Sequence, residues 1–198
     1  MGNYQASDGS IGSGVQVNHP VAVAFAGRMG AGKSSISSAL ASDMKWKRAS
    51  FGEFVRYIAK KRGLEQSREV LQAVGAELEA GDVVAFCQDV LRFAEWGGGE
   101  SLVIDGIRHV RVLETLRKLI APVPLLFVYL DAEEETRKSR LLARDRIDAA
   151  SLAASESHST EREVISRLPD LADLRLSNKD GSEQEMLRFI EDRLGSTL

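Results

Sequence analysis

Eight consecutive residues, Gly27-Arg28-Met29-Gly30-Ala31-Gly32-Lys33-Ser34, fit the pattern G-x-x-x-x-G-K-[ST] at every fixed position. Glycines in such a run let backbone N–H groups converge on phosphate oxygens, and a helix starting behind them adds partial positive charge. Lys33 supplies a compact cation for the β and γ phosphates, and the Ser34 hydroxyl is placed to reach Mg²⁺. The expected nucleotide contacts are Gly27, Gly30, Ala31, Gly32, Lys33, Ser34 and Ser35. The alternative is a glycine turn with an incidental Lys-Ser. The flanks oppose it, because an apolar run precedes the loop and a helix-forming stretch follows. Two further features carry charge where a phosphate site would use it. Asp105 closes the apolar run Ser101-Leu102-Val103-Ile104 and is a candidate Mg²⁺ ligand with Ser34, the other reading being a strand-end acid that caps the next turn. Arg140 and Arg144 are four residues apart, which puts both guanidiniums on one helical face.

These residues need rigid elements to hold them. Val21 to Ala26 is a continuous apolar run ended by Gly27, as in a strand covered on both faces. Further strands are expected at Lys47 to Ser50, Ser101 to Asp105, Leu125 to Leu130 and Ala172 to Leu176. Helical spacing marks Ser34 to Met44, Glu53 to Arg62, Ser67 to Glu79, Val83 to Trp96, Val110 to Ile120, Ala132 to Asp145, Thr160 to Leu168 and Ser182 to Leu194. Strands alternating with helices imply one α/β domain of three layers, with a five-stranded parallel sheet at its centre.

Composition narrows the class. At 198 residues, 43% of them hydrophobic and 28% charged, the chain suits one globular domain rather than two. A formal net charge of -3 argues against wrapping nucleic acid, and a small anionic ligand needs only a local basic patch. The single cysteine, Cys87, excludes an intrachain disulfide and a thiolate metal cluster, which suits a reducing, cytoplasmic setting. No apolar run approaches the roughly 20 residues of a membrane span, and Ala6 stands where myristoylation wants Ser or Thr. Residues 1–19 read as a flexible polar leader and 20–198 as the domain. His19, His109 and His158 are assigned to the surface, and Trp46 and Trp96 to packing.

With these residues in view, the chain resembles the nucleoside monophosphate kinases, adenylate kinase above all, and other small P-loop kinases such as dephospho-coenzyme A kinase. The resemblance covers about Val21 to Leu194. It implies the three-layer α/β/α P-loop fold, ATP with Mg²⁺, and transfer to a small phosphorylated acceptor, with no nucleic-acid or membrane partner and a monomer or homodimer. Ser50-Phe51-Gly52-Glu53-Phe54-Val55-Arg56 looks like the family's acceptor stretch, so the resemblance makes Arg56 an acceptor-phosphate clamp. Asp105-Gly106-Ile107-Arg108 looks like the family's D-G-[FIV]-P-R element without its proline, which implies Arg108 as a second clamp. Arg140 to Arg144 resembles the R-x-x-x-R at the base of the lid, and about 145–160 is then a short lid. Arg162 or Arg167, with Arg167 closer to the family's R-L ending, would supply one more arginine, and Asn178-Lys179-Asp180-Gly181 would frame the donor adenine. Lys60-Lys61-Arg62-Gly63 also resembles a helix end found among adenylate kinase-related proteins.

Some readings stay open at this level. Glu53 either bonds the acceptor or stabilises its own helix. Arg137 and Lys138 are assigned to a solvated face, paired with Glu133, Glu134 and Glu135. The lack of an acid in Lys47-Arg48-Ala49-Ser50 tilts the acceptor towards a monophosphate and away from dephospho-coenzyme A or another hydroxylated metabolite. The rival of another class is a nucleotide-dependent switch or ATPase, for which paired acceptor-side arginines have no purpose.

Overall fold

The computed structural model describes residues 19–145, 164–178 and 183–197. Residues 1–18 of the leader, nearly all of the short lid, His158, Arg162 and the Lys179-Asp180-Gly181 stretch lie outside the described residues, as does the Arg144 side chain. Five strands form one parallel sheet: β1 (Ala22–Gly27), β2 (Lys47–Ser50), β3 (Leu102–Ile107), β4 (Leu125–Asp131) and β5 (Leu174–Ser177), in spatial order β2-β3-β1-β4-β5. Seven helices accompany them among the described residues: α1 (Lys33–Met44), α2 (Phe51–Lys61), α3 (Arg68–Ala80), α4 (Val83–Phe93), α5 (Val110–Leu119), α6 (Glu134–Asp145) and α7 (Glu183–Thr197). The expected three-layer α/β/α fold is present. None of these helices is long and apolar enough to cross a membrane.

Alternation along the strands builds two cores. Ala22, Ala24 and Ala26 face a cluster with Ile104, Phe127 and Tyr129 of the sheet and buried residues of α2, α3, α4 and α5. Val23 and Phe25 face the other way, against Val103, Val128 and Leu130, with Ile36 and Leu40 of α1 and Leu187 and Ile190 of α7. Small side chains on one face of β1 and large ones on the other let the two helical layers approach to different depths. Trp46 and Trp96 pack on the edges of these cores, as their assignment required.

Element ends differ from expectation where local geometry overrides periodicity. α2 starts at Phe51 because the Ser50 hydroxyl accepts from the Glu53 N–H at 3.3 Å and caps the helix at once. α6 starts at Glu134 rather than Ala132, since β4 runs on to Asp131. Ala172 does not join β5, because a 3-10 turn at Leu168–Leu171 delays the strand to Leu174. β3 continues past Asp105 to Ile107 through a bulge, with Phe25 opposite Asp105 and Ala26 opposite Ile107. The extra residue is Gly106, whose φ of +94° an L side chain rarely adopts. Asp105 therefore stays on the Val103 face, towards α1, while Ile107 returns to the opposite core.

Two outcomes follow from this packing. Gly27 has φ +144°, and a Cβ there would lie 1.9 Å from the Leu130 carbonyl oxygen of β4. Gly27→Ala should cost about 3 kcal/mol or more in urea unfolding, while Gly97→Ala, with nothing within 4 Å of its Cβ, should stay within about 0.5 kcal/mol of the parent. Burial of Cys87 pushes its thiol up from 9.0 to about 12, so the thiolate is scarce at pH 8. The native protein should not react with a thiol-specific disulfide reagent at that pH, and one thiol should titrate in denaturant.

Candidate functional site

The phosphate loop leaves β1 at Gly27 and enters α1 at Lys33, at the carboxyl end of the central strand. In a parallel sheet this is where ligands collect. Gly30 (φ +77°) and Gly32 (φ +94°) take left-handed backbone conformations, which is why glycine is required there. The starts of α1 and α5 carry no side-chain cap. Ser50, Ser67 and Asp82 cap α2, α3 and α4 with their side chains, whereas Gly32 gives α1 no side-chain cap and its first turn holds no acid. The leading N–H groups of α1 are thus left for an anion.

Side chains from three elements reach carbonyl oxygens of this loop. The Lys33 ammonium donates to the Gly27 and Arg28 carbonyls at 2.6 and 2.8 Å. Asn178, at the end of β5 and buried, donates Nδ2 to the Ala31 carbonyl at 3.0 Å, and its own N–H reaches the Asp131 carbonyl at 2.7 Å. Arg140 lies 3.5 Å from the Gly30 carbonyl and 3.4 Å from Asn178 Oδ1. Three expected site residues, Lys33, Arg140 and Asn178, are therefore brought together. Ser34 and Ser35 are exposed in the first turn of α1. Beside them a cavity of about 260 Å³ opens between Gly32 and Ser35 on one side and Arg140, Asn178, Glu183 and Met186 on the other.

Arg137 is the correction. The sequence placed it on a solvated face with its neighbours, and Glu134 and Lys138 do form that exposed pair at 2.6 Å. Arg137 itself is 1% exposed and donates Nη1 to the Met29 carbonyl at 3.1 Å. Its position on α6 turns it inward because Gly30 offers no side chain to keep that helix away from the loop.

A second cluster sits on the α1 side of β2 and β3. Asp105 is 4% exposed, with Oδ2 held by Arg48 Nη2 at 3.0 Å, while Oδ1 is buried and lacks a hydrogen-bond partner. Arg48 also donates to Glu53 Oε1 at 2.7 Å and, through Nε, to the Ser37 hydroxyl at 3.1 Å. Burial alone would lower the Arg48 guanidinium, but the hydrogen bond with Glu53 and the charges of Asp105 and Glu53 raise it. Arg48 carries no local signal, because the acid it holds lies 57 residues further along the chain. An orphaned buried carboxylate oxygen and the exposed Ser34 hydroxyl are hard oxygen donors of the kind Mg²⁺ takes, so the residues fit the ion. Among the described residues no group of three or more His, Cys, Asp or Glu could hold a metal by itself.

The residues expected on the acceptor side lie on α2, just after β3 and before the 3-10 turn. Arg56 is exposed on α2 with its guanidinium over Gly52, 3.5 Å from where a Cβ would be. Arg108 is half-buried just after β3, Glu53 is occupied by Arg48, and Arg167 is at the surface before the 3-10 turn.

Removing Arg48 would leave Asp105 as a buried charge without its partner. Arg48→Met should destabilise the protein by about 2–3 kcal/mol in chemical denaturation. Glu53→Gln, at an exposed carboxylate, should change stability by less than about 1 kcal/mol. Equal losses from the two variants would mean that Asp105 does not depend on Arg48.

Comparison with known proteins agrees with this geometry. A model of the AAA domain matches residues 23–163, well over half of the chain. A UPF0200 protein of Pyrobaculum aerophilum is 30% identical over 179 residues, covering 89% of this chain and 95% of that protein. Among solved structures, APS kinase of Mycobacterium tuberculosis in complex with AMPPNP and APS superposes with a TM-score of 0.60 at 18% identity, covering 89% of this chain and 98% of its own. Shikimate kinase from Acinetobacter baumannii in complex with shikimate gives 0.58 at 17% identity, covering 92% and 97%. The shared fold is that of small P-loop kinases, and it is not peculiar to those acting on nucleoside monophosphates. On the strength of the loop, the sheet and these matches, the chain belongs to the UPF0200 family and carries an AAA domain with a P-loop.

Proposed function

We propose that the protein transfers the γ-phosphoryl group of MgATP to a small phosphorylated acceptor, with nucleoside or deoxynucleoside monophosphates as the class that suits its basic residues. The observation that carries this reading is the pairing of an uncapped, glycine-lined helix start with Asp105, a buried acid whose Oδ1 is without a partner. A phosphate cradle and a candidate metal-side carboxylate thus stand at the ends of adjacent strands. The N–H groups of α1 and the loop bind the phosphate chain. Lys33 exchanges its two carbonyls for phosphate oxygens, and the cavity at Glu183 and Met186 takes the base. Ser34 and Asp105 would hold Mg²⁺, which when bound neutralises charge on the phosphate oxygens. Arg56 and Arg108 hold the acceptor phosphate, and Arg140 and Arg144 are assigned to the transferring group. The fold relatives differ in acceptor, since one was solved with APS and another with shikimate, so dephospho-coenzyme A belongs in the same test.

The test is a coupled ADP-release assay with nucleoside monophosphates, deoxynucleotides and dephospho-coenzyme A as acceptors. Lys33→Ala should lower turnover by about a hundredfold or more with the circular dichroism spectrum intact. Arg56→Ala and Arg108→Ala should each raise the acceptor KM about tenfold to a hundredfold and leave the ATP KM nearly unchanged. Release of ADP that is independent of every acceptor would favour the ATPase reading, and unaltered acceptor saturation in both arginine variants would rule out a phosphorylated acceptor.

A further inference from the structure

Arg137 is the bulkiest of the fully buried side chains among the described residues. Taking a guanidinium out of water is far more costly than burying an apolar group of that size, and the buried Nε and Nη2 atoms of Arg137 make no hydrogen bond, so the contact its Nη1 does make carries weight. That contact is with the phosphate loop. Arg137 Nη1 donates to the Met29 carbonyl at 3.1 Å, and a Cβ on Gly30 would lie 2.7 Å from the Arg137 carbonyl oxygen and 3.1 Å from its Cα. α6 thus touches the loop through both the backbone and the side chain of this one residue.

The C=O and the following N–H of a trans peptide point in opposite directions. Holding the Met29 carbonyl on the α6 side turns the Gly30 N–H to the other side of the loop. The same logic applies at Ala31, whose carbonyl is held by Asn178, so that the Gly32 N–H points away. Lys33 occupies the Gly27 and Arg28 carbonyls, and the Ala31 N–H is engaged by the Arg28 carbonyl at 3.2 Å. Arg140 lies against the Gly30 carbonyl, whose peptide carries the Ala31 N–H, so side chains from outside the loop act on the peptides that carry the N–H groups of Gly30, Ala31 and Gly32.

We propose that Arg137 is a positioning residue of the phosphate site. It does not touch the nucleotide. It fixes the Met29–Gly30 peptide so that the Gly30 N–H is aimed at a phosphate oxygen before any ligand arrives, and its charge raises the potential behind the loop. A loop already in its binding arrangement loses no affinity to ordering. By linkage, a phosphate chain that engages the Gly30 N–H must also tighten α6 against the loop. The inference rests on the phosphate-binding reading above and goes beyond it in assigning a residue of α6 to that site.

The test titrates ATP and inorganic tripolyphosphate calorimetrically, without Mg²⁺, against the parent, Arg137→Met and Arg137→Lys. Leu113→Ala, a core variant remote from the loop, serves as the control for lowered Tm. Arg137→Met should weaken both ligands about tenfold to a hundredfold, Arg137→Lys should restore part of the loss, and Leu113→Ala should leave both affinities unchanged at temperatures well below its Tm. Hydrogen exchange by mass spectrometry on the parent should show ATP slowing exchange in Glu134 to Leu141. If Arg137→Met does not fold, Arg137→Lys and the exchange experiment decide. Affinities of the folded Arg137 variants within about twofold of the parent, or α6 exchange indifferent to ATP, overturn the proposal. Failure of the parent to bind either ligand would instead refute the phosphate-site reading itself.

Discussion

The lack of a side chain at position 27 is the constraint on which the rest of the site depends. The backbone leaves β1 against the Leu130 carbonyl so closely that even a methyl group would overlap it. That approach keeps β1 paired with β4 to its last residue, one residue beyond its pairing with β3. The loop then begins just beyond the level of Ile107 in β3 and at the level of Leu130 in β4. Its carbonyls come within reach of α6 on one side and of Asn178 on the other. Each later contact assumes that first turn.

Two groups of charge surround the loop with opposite designs. On the α6 side, the cations Lys33, Arg137 and Arg140 each reach a carbonyl oxygen of the loop. On the β2 side, Arg48 is shared among Asp105, Glu53 and Ser37, so a single guanidinium answers two carboxylates. Sharing leaves Asp105 with one oxygen committed and one uncommitted. An acid held in that way is fixed in direction and still able to accept another ligand.

The loop, the strand order of events along the chain and the α/β class were legible because they rest on local pattern: a fixed spacing of glycines, apolar runs and helical periodicity. Asp105 was legible because a strand-end acid stands out after four residues of low polarity. Arg48 and Arg137 were not. Each lies in a charged stretch that satisfies a solvated reading, and what distinguishes them is a contact with residues far along the chain, Asp105 in one case and Met29 in the other. Gly106 shows the same limit on a smaller scale. The sequence displays a glycine after the acid, but only the pairing of Ala26 with Ile107 shows that it is an extra residue in a ladder. The motifs do not reach substrate identity, since the same fold was solved with APS in one case and with shikimate in another.

The bare start of α1 has one more implication. Three neighbouring helices complete their first turns with their own side chains, and this one does not. A bound phosphate chain would finish it, acting as a missing piece of the fold as much as a reactant. On the proposed reading, nucleotide that binds the folded form there stabilises it by mass action, so loss of the ligand would lower the protein's resistance to unfolding as well as its turnover.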